Sequence, residues 1–158
     1  MISSVTVLSP ALTASSEPAE TPRGPPSRTR VLFVCVGNTG RSVMAERLLR
    51  RAAGDRFETS SAGSSPGDRI EDGVLEALAE VGIDASDHVP RRLGDGEIAW
   101  ADVVVATCDE ACPVIAGKRF FAWQIPDAYG LPVERVRAIR DEITRHVEAL
   151  AAELDASA

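Results

Sequence analysis

The chain has 158 residues, a formal net charge of −7 at pH 7, 44% hydrophobic residues and 4% aromatic ones. That length suits one domain able to bury a real core, and the negative charge argues against non-specific nucleic-acid binding. No apolar run reaches the length of a membrane span, and three cysteines without a secreted framework pattern read as working thiols of a cytoplasmic protein.

Residues 1–29 are rich in Ser, Thr, Pro, Glu and Ala, with Pro10, Pro18, Pro22, Pro25 and Pro26. They are expected to be a disordered leader, since so little apolar surface cannot offset the cost of ordering. The apolar patch Val5 to Leu8 is too short for a signal-peptide core. The folded domain is expected to span 30–158.

Val31 to Val36 reads as a buried strand, and Arg41 to Ala53 as a helix with Val43, Met44, Leu48 and Leu49 on one face and Gly54 as its stop. A short second strand is expected at Phe57–Ser61, and a turn-rich loop at Gly63–Gly67. Helical spacing at Ile70, Val74, Leu75 and Leu78 predicts a helix to Val81, closed by Gly82. A helical turn near Glu97–Ala101 precedes a third strand, Asp102–Thr107, that delivers Cys108. A short helix is expected at Asp109–Ile115, a fourth strand at Arg119–Ile125, and a long amphipathic helix from Pro132 to about Leu154. That last helix turns Val136, Ile139, Ile143, Val147 and Leu150 inward. Strands alternating with helices predict an α/β sandwich around a parallel sheet, with ligands at the carboxyl ends of the strands. Cys35, Cys108 and Asp127 each follow a strand and so are expected to converge on one rim.

The chemistry centres on Val31-Leu32-Phe33-Val34-Cys35-Val36-Gly37-Asn38-Thr39-Gly40-Arg41-Ser42. A loop between a strand and a helix N-terminus offers free backbone N–H groups and the positive end of the helix dipole, which suit an oxyanion. Gly37 and Gly40 let the backbone curl around it, and Arg41 supplies a planar fork of donors. An electropositive cup of this kind favours the thiolate of Cys35, a nucleophile set beneath a bound oxyanion. The plainer reading is a core cysteine followed by a turn. A cysteine, five residues, then Arg-Ser between strand and helix favours the cup.

The run VLFVCVGNTGRSVMAE closely resembles the phosphate-binding loop of the low-molecular-weight protein tyrosine phosphatases and their relatives, the thiol-dependent arsenate reductases. The resemblance covers roughly Arg30 to Leu154. It implies a four-stranded parallel sheet, Cys35 as nucleophile, and an oxyanion held by Val36, Gly37, Asn38, Thr39, Gly40, Arg41 and Ser42. Within that set Asn38 is expected to brace the loop and Ser42 to stabilise the thiolate. Gly40 departs from many members, which carry a second cysteine there. Asp127, in Ile125-Pro126-Asp127-Ala128, matches the family's general acid, with Ala128 replacing the usual proline. A turn-forming Asp is the alternative for that position.

Cys108 and Cys112, in Thr107-Cys108-Asp109-Glu110-Ala111-Cys112-Pro113, resemble the redox segment of the arsenate reductases, as does Trp123 just before the acid loop. Residues four apart on a regular helix have Cβ atoms about 5–6 Å apart. A disulfide needs about 3.5–4.5 Å, so a Cys108–Cys112 bridge requires local unwinding next to Pro113. Two unrelated semi-buried cysteines are the alternative. A zinc site is disfavoured because neither His88 nor His146 has ligand spacing with the pair. His146 is expected to be solvated, and His88, in a segment resembling the family's His-x-x-Arg, to be structural. Some family members hold a potassium ion near the loop; Asn38, Glu46 and Ser61 match three ligand positions and Arg91 the fourth. The Arg91 guanidinium is expected to replace the cation, so no metal is predicted.

The resemblance implies an arsenate reductase that works through a Cys35 adduct and a thiol relay. It would need no cofactor beyond an external thiol reductant, either a thioredoxin-like protein or a mycothiol-type small thiol. A small oxyanion substrate and a monomeric state are expected. A phosphatase acting on phosphotyrosine or small phosphoesters is the alternative, slightly disfavoured by the 4% aromatic content. A non-catalytic oxyanion-binding module is a third reading.

Overall fold

A computed structural model describes residues 28–108 and 116–157. Its strands are β1 Thr29–Cys35, β2 Phe57–Gly63, β3 Val103–Ala106 and β4 Arg119–Ala122, and its helices are α1 Arg41–Ala53, α2 Asp72–Ala79, α3 Asp95–Trp100 and α4 Val133–Ala156. All pairings are parallel, in the order β2-β1-β3-β4. The expected four-stranded α/β architecture is present. The leader at 1–27 and the expected helix at Asp109–Ile115 lie outside the described residues.

Alternation along β1 divides the core. Val31 and Phe33 point to a large cluster with α1, α2 and α4, whereas Leu32 and Val34 point to a smaller one with Ala62, Ala101 and Val104. β3 repeats the pattern, with Val103 and Val105 on the first face and Val104 on the second. Both faces of the central strands are therefore covered, which explains their continuous apolar runs. Each fully buried Val, Leu or Phe contributes roughly 1.5–3 kcal/mol. α4 buries Val136, Ile139, Ile143, Val147 and Leu150, the predicted stripe.

Several boundaries differ from expectation, three of them by enough to need a reason. β2 runs two residues further, because Ala62 and Gly63 pair with Val34 and Cys35. β4 stops at Ala122 rather than Ile125, since it is the edge strand and its residues are only partly covered. α2 starts at Asp72, leaving Ile70 and Glu71 in the preceding loop. His146 is not simply solvated: its ring stacks on Trp123 with centroids 4.9 Å apart.

The order β2-β1-β3-β4 places a switch point at β1. The chain leaves β1 towards β2 on one side, and β3 lies on the other. A crevice opens outside the carboxyl ends of strands at such a point, and both Cys35 and Cys108 stand there. Among the described residues no helix is long and apolar enough to cross a membrane.

Candidate functional site

Cys35 ends β1, and the next five residues curl back to start α1 at Arg41. The carbonyls of this curl are all directed outward. Those of Cys35, Val36, Gly37 and Thr39 accept hydrogen bonds from the N–H groups of Ser64, Ser65, Gly67 and Glu71, at 2.8–3.1 Å. The Asn38 carbonyl lies 2.9 Å from His88 Nε2, and the Gly40 carbonyl accepts from Met44 at 2.9 Å. With the oxygens turned away, the loop's N–H groups are left to face the cup, the arrangement of an anion-binding nest.

Asn38 carries the sharpest bend, at φ 54°. Asn is one of the few residues that tolerate the left-handed region. Its side chain is fully used: Nδ2 donates to Ser42 Oγ at 2.8 Å, and Oδ1 accepts from the Arg91 N–H at 3.0 Å. Ser42 Oγ also lies 3.0 Å from Cys35 Sγ. Because that oxygen already accepts from Asn38, its own proton is free to point at the sulfur. The Asn38 N–H makes a second approach to Sγ, at 3.2 Å. Both donors to Cys35 thus descend from Asn38, and the brace expected of this residue has a physical form.

Cys35 is a free thiol, only 2% exposed. It opens into a cavity of about 190 Å³ lined by Val36, Gly37, Thr39, Gly40, Arg41, Glu71, Asp127 and Tyr129. Arg41 is buried, and its Nη1 donates to the Ile125 carbonyl at 3.1 Å. Asp127 is exposed at the mouth, where its Oδ1 accepts from the Tyr129 N–H at 3.0 Å, forming an Asx turn. Ala128, in place of the expected proline, is buried in the main core.

Most of the predicted residues therefore meet. Cys35, Val36, Gly37, Thr39, Gly40, Arg41 and Asp127 line one cavity, with Asn38 and Ser42 buried behind it. Cys108 stands apart from that lining. It follows β3, is 6% exposed, and is disulfide-bonded. Its sulfur packs 3.9 Å from the Val34 carbonyl oxygen, a contact rather than a hydrogen bond because a disulfide sulfur has no proton. Cys112 lies outside the described residues.

The potassium-like position is organised differently from expectation. Glu46 is buried; its Oε1 accepts from Ser61 Oγ at 3.0 Å, while Oε2 is paired with Arg50. Arg91 Nη1 points instead to Ser60 Oγ, at 3.5 Å. The guanidinium that answers Glu46 is thus that of Arg50, one helical turn along α1, and not that of Arg91. A carboxylate already neutralised this way does not fit a cation ligand set.

Sequence reasoning missed two residues that act directly on the cup. Glu71 lines the cavity, and its Oε2 accepts from Thr39 Oγ1 at 3.1 Å. Burial is the main reason its carboxyl is raised above the ordinary range, with Asp127 adding to the rise; the Thr39 hydrogen bond and Arg41 oppose it. A Cβ at Gly40 would stand 3.2 Å from Glu71 Oε2, so the carboxyl sits directly against the loop backbone there. Gly63 is the second: a Cβ there would stand 2.5 Å from the Val36 carbonyl oxygen, closer than atoms can pack. A helix-entry glutamate and a strand-end glycine carry no local signal for either role.

Residues 30–158 match the family model described as low molecular weight phosphotyrosine protein phosphatase. An arsenate reductase of Staphylococcus epidermidis is 31% identical over 123 residues, which cover 75% of this chain and 93% of that protein. A thioredoxin-dependent arsenate reductase of Corynebacterium glutamicum superposes with a TM-score of 0.70 at 36% identity; the match covers 83% of this chain but only 64% of that one. The low molecular weight protein tyrosine phosphatase of T. tengcongensis gives a TM-score of 0.69 at 31% identity, covering 79% and 99%. The fold thus recurs in both kinds of enzyme, and the chain belongs to the low molecular weight phosphotyrosine protein phosphatase family.

Proposed function

We propose that this protein is an arsenate reductase. The loop N–H groups and Arg41 hold arsenate above Cys35. The Cys35 thiolate attacks arsenic: an S–As bond forms, an As–O bond breaks, and the oxygen leaves as water with a proton from Asp127. The Cys108 thiolate then attacks Cys35 Sγ. The S–As bond breaks with its electron pair retained by arsenic, As(V) becomes As(III), and arsenite departs. A Cys35–Cys108 disulfide is left. Cys112 attacks Cys108, freeing Cys35 and leaving a Cys108–Cys112 disulfide that a thioredoxin-like protein reduces. In a shorter route a mycothiol-type small thiol attacks the arsenylated Cys35 directly. Neither route needs a bound cofactor.

The observation that carries the reductase reading is the state of Cys108. It is disulfide-bonded just after the strand next to β1, packed against the residue before Cys35, while Cys35 itself is a free thiol. The reductases among the relatives point the same way. A phosphatase is the second reading, favoured by Asp127 sharing the cavity with Cys35. In that case water resolves a phosphocysteine. Among the described residues Tyr129, 75% exposed, is the one aromatic in the cavity lining, a sparse wall for a phosphotyrosine ring.

The test incubates reduced protein with arsenate, traps free thiols and maps disulfides by mass spectrometry, alongside turnover of p-nitrophenyl phosphate. The relay predicts oxidation of Cys108 with Cys112 and weak phosphatase activity. Full reduction by Cys108→Ser and Cys112→Ser with a small thiol alone selects the shorter route. Fast phosphotyrosine hydrolysis without arsenate reduction overturns the proposal.

A further inference from the structure

The cup contains a carboxyl that the mechanism above does not use. Glu71 is tied to the loop twice, by its N–H to the Thr39 carbonyl at 3.0 Å and by Oε2 to the Thr39 hydroxyl at 3.1 Å. Those bonds hold the carboxyl against the Cα of Gly40, next to the cavity floor. Although Glu71 is the residue before α2, its side chain makes no cap to that helix. The longer side chain is directed at the loop instead.

We propose that Glu71 determines which oxyanion charge the cup admits, taking up a proton as a tetrahedral dianion binds. This rests on the reading of the loop as an oxyanion site. The groups facing Glu71 are Cys35 and Arg41 from β1 and α1, and Asp127 and Tyr129 from the loop after β4. On its own segment Asp68 lines the neighbouring pocket and Arg69 and Asp72 pair with each other at 2.8 Å; among the described residues Arg41 is the unlike charge that acts on the carboxyl. The Cys35 sulfur, two carboxyl groups and an incoming dianion share this small cavity with the Arg41 guanidinium, so an anion that enters it disfavours an ionised carboxyl beside it. Of the two carboxylates, Asp127 is exposed and half-buried Glu71 is the costlier to keep ionised. Its raised proton affinity before any anion arrives agrees with this. An entering dianion raises that affinity further, so by reciprocity protonation of Glu71 tightens the anion. The sign follows. Affinity is full where Glu71 is neutral and is lost as pH rises through the range in which its proton leaves.

Sulfate is the probe, because it is a dianion at every pH used and cannot supply or take the proton. Calorimetry in buffers of different ionisation enthalpy, on the full chain and on its Cys35→Ser variant, counts protons taken up between about pH 5 and 8. The expected result is uptake approaching about one proton per sulfate, with affinity falling by up to tenfold per pH unit over the linked range. Glu71→Gln keeps an acceptor for Thr39 and should abolish both the uptake and the slope, while Glu71→Asp should retain uptake. Zero proton uptake in the unmutated chain overturns the proposal whatever the variants do. An unchanged slope in Glu71→Gln, or a slope removed by Asp127→Asn instead, also overturns it. No saturable sulfate binding at any pH overturns both this inference and the oxyanion reading, so the two failures are distinct.

Discussion

Arg41 Nη1 donates to the carbonyl of Ile125 at 3.1 Å, and Ile125 stands two residues before Asp127. The side chain assigned to the oxyanion therefore also anchors the loop that carries the proposed acid. A lysine at 41 would keep the charge but lose the planar fork that can face an anion and a carbonyl together. Arg41→Lys should lower kcat/KM for arsenate by about 100-fold or more. Cys35→Ser should abolish turnover with the fold intact, as read by circular dichroism. An Arg41→Lys enzyme with unchanged rate and affinity would rule out the bidentate role.

Asn38→Ala should be worse than a typical polar deletion. It forces a residue with no stabilising side chain into φ 54° and removes the bonds to Ser42 and to the Arg91 N–H. Losses of about 1–3 kcal/mol accompany each buried partner left unpaired. The expected outcome is a lower Tm together with slower alkylation of Cys35, because Ser42 is no longer held. Unchanged alkylation kinetics in a folded Asn38→Ala protein would separate Asn38 from the nucleophile.

Gly63→Ala tests the close approach of β2 to the loop. The added methyl would stand 2.5 Å from the Val36 oxygen and 2.9 Å from the Asn38 nitrogen, both backbone atoms that cannot swing aside. The backbone must shift, at a cost of about 1–3 kcal/mol. Sulfate affinity should fall along with Tm, whereas alanine at Gly96, in α3 with open space for the added methyl, should leave sulfate affinity unchanged and not lower Tm.

Glu80 joins α2 to α4 through paired bonds to Arg137, at 2.6–3.0 Å, and one to Arg140 at 3.0 Å. The Arg137 hydrogen bonds chiefly hold its carboxyl down to about 2, with Arg140 helping. A lowered carboxyl contributes stability that is present above its unfolded value of about 4.3 and lost as pH falls towards 2. Glu80→Gln should therefore lower Tm slightly at neutral pH, and the gap from the unmutated chain should close in acid. A gap that persists at pH 2 would mean that packing, not charge, joins the helices.

Legibility in the sequence followed the range of the interactions. The bounds of α1 and the buried stripe of α4 are local periodicity, and both are where the sequence puts them. The cup is a contiguous stretch, so its members were readable together. Asp127 was reachable because it follows a strand. Glu71 and Gly63 were not, since each acts on the loop from a segment that only the β1–β2 pairing brings alongside. Arg50 was missed for a similar reason: its i, i+4 spacing to Glu46 looks like an ordinary surface pair until Glu46 proves buried. The strand order, which puts β3 and Cys108 beside β1, is a property of crossovers that no single segment encodes.

The outward-turned carbonyls of residues 35–40 have a kinetic consequence. Every one is tied off before any substrate arrives, so the donor array forms during folding and not on encounter. An anion entering such a cup loses its water but does not have to recruit a moving loop, and the barrier to capture is desolvation alone. Association should then be fast and only weakly sensitive to solvent viscosity beyond simple diffusion.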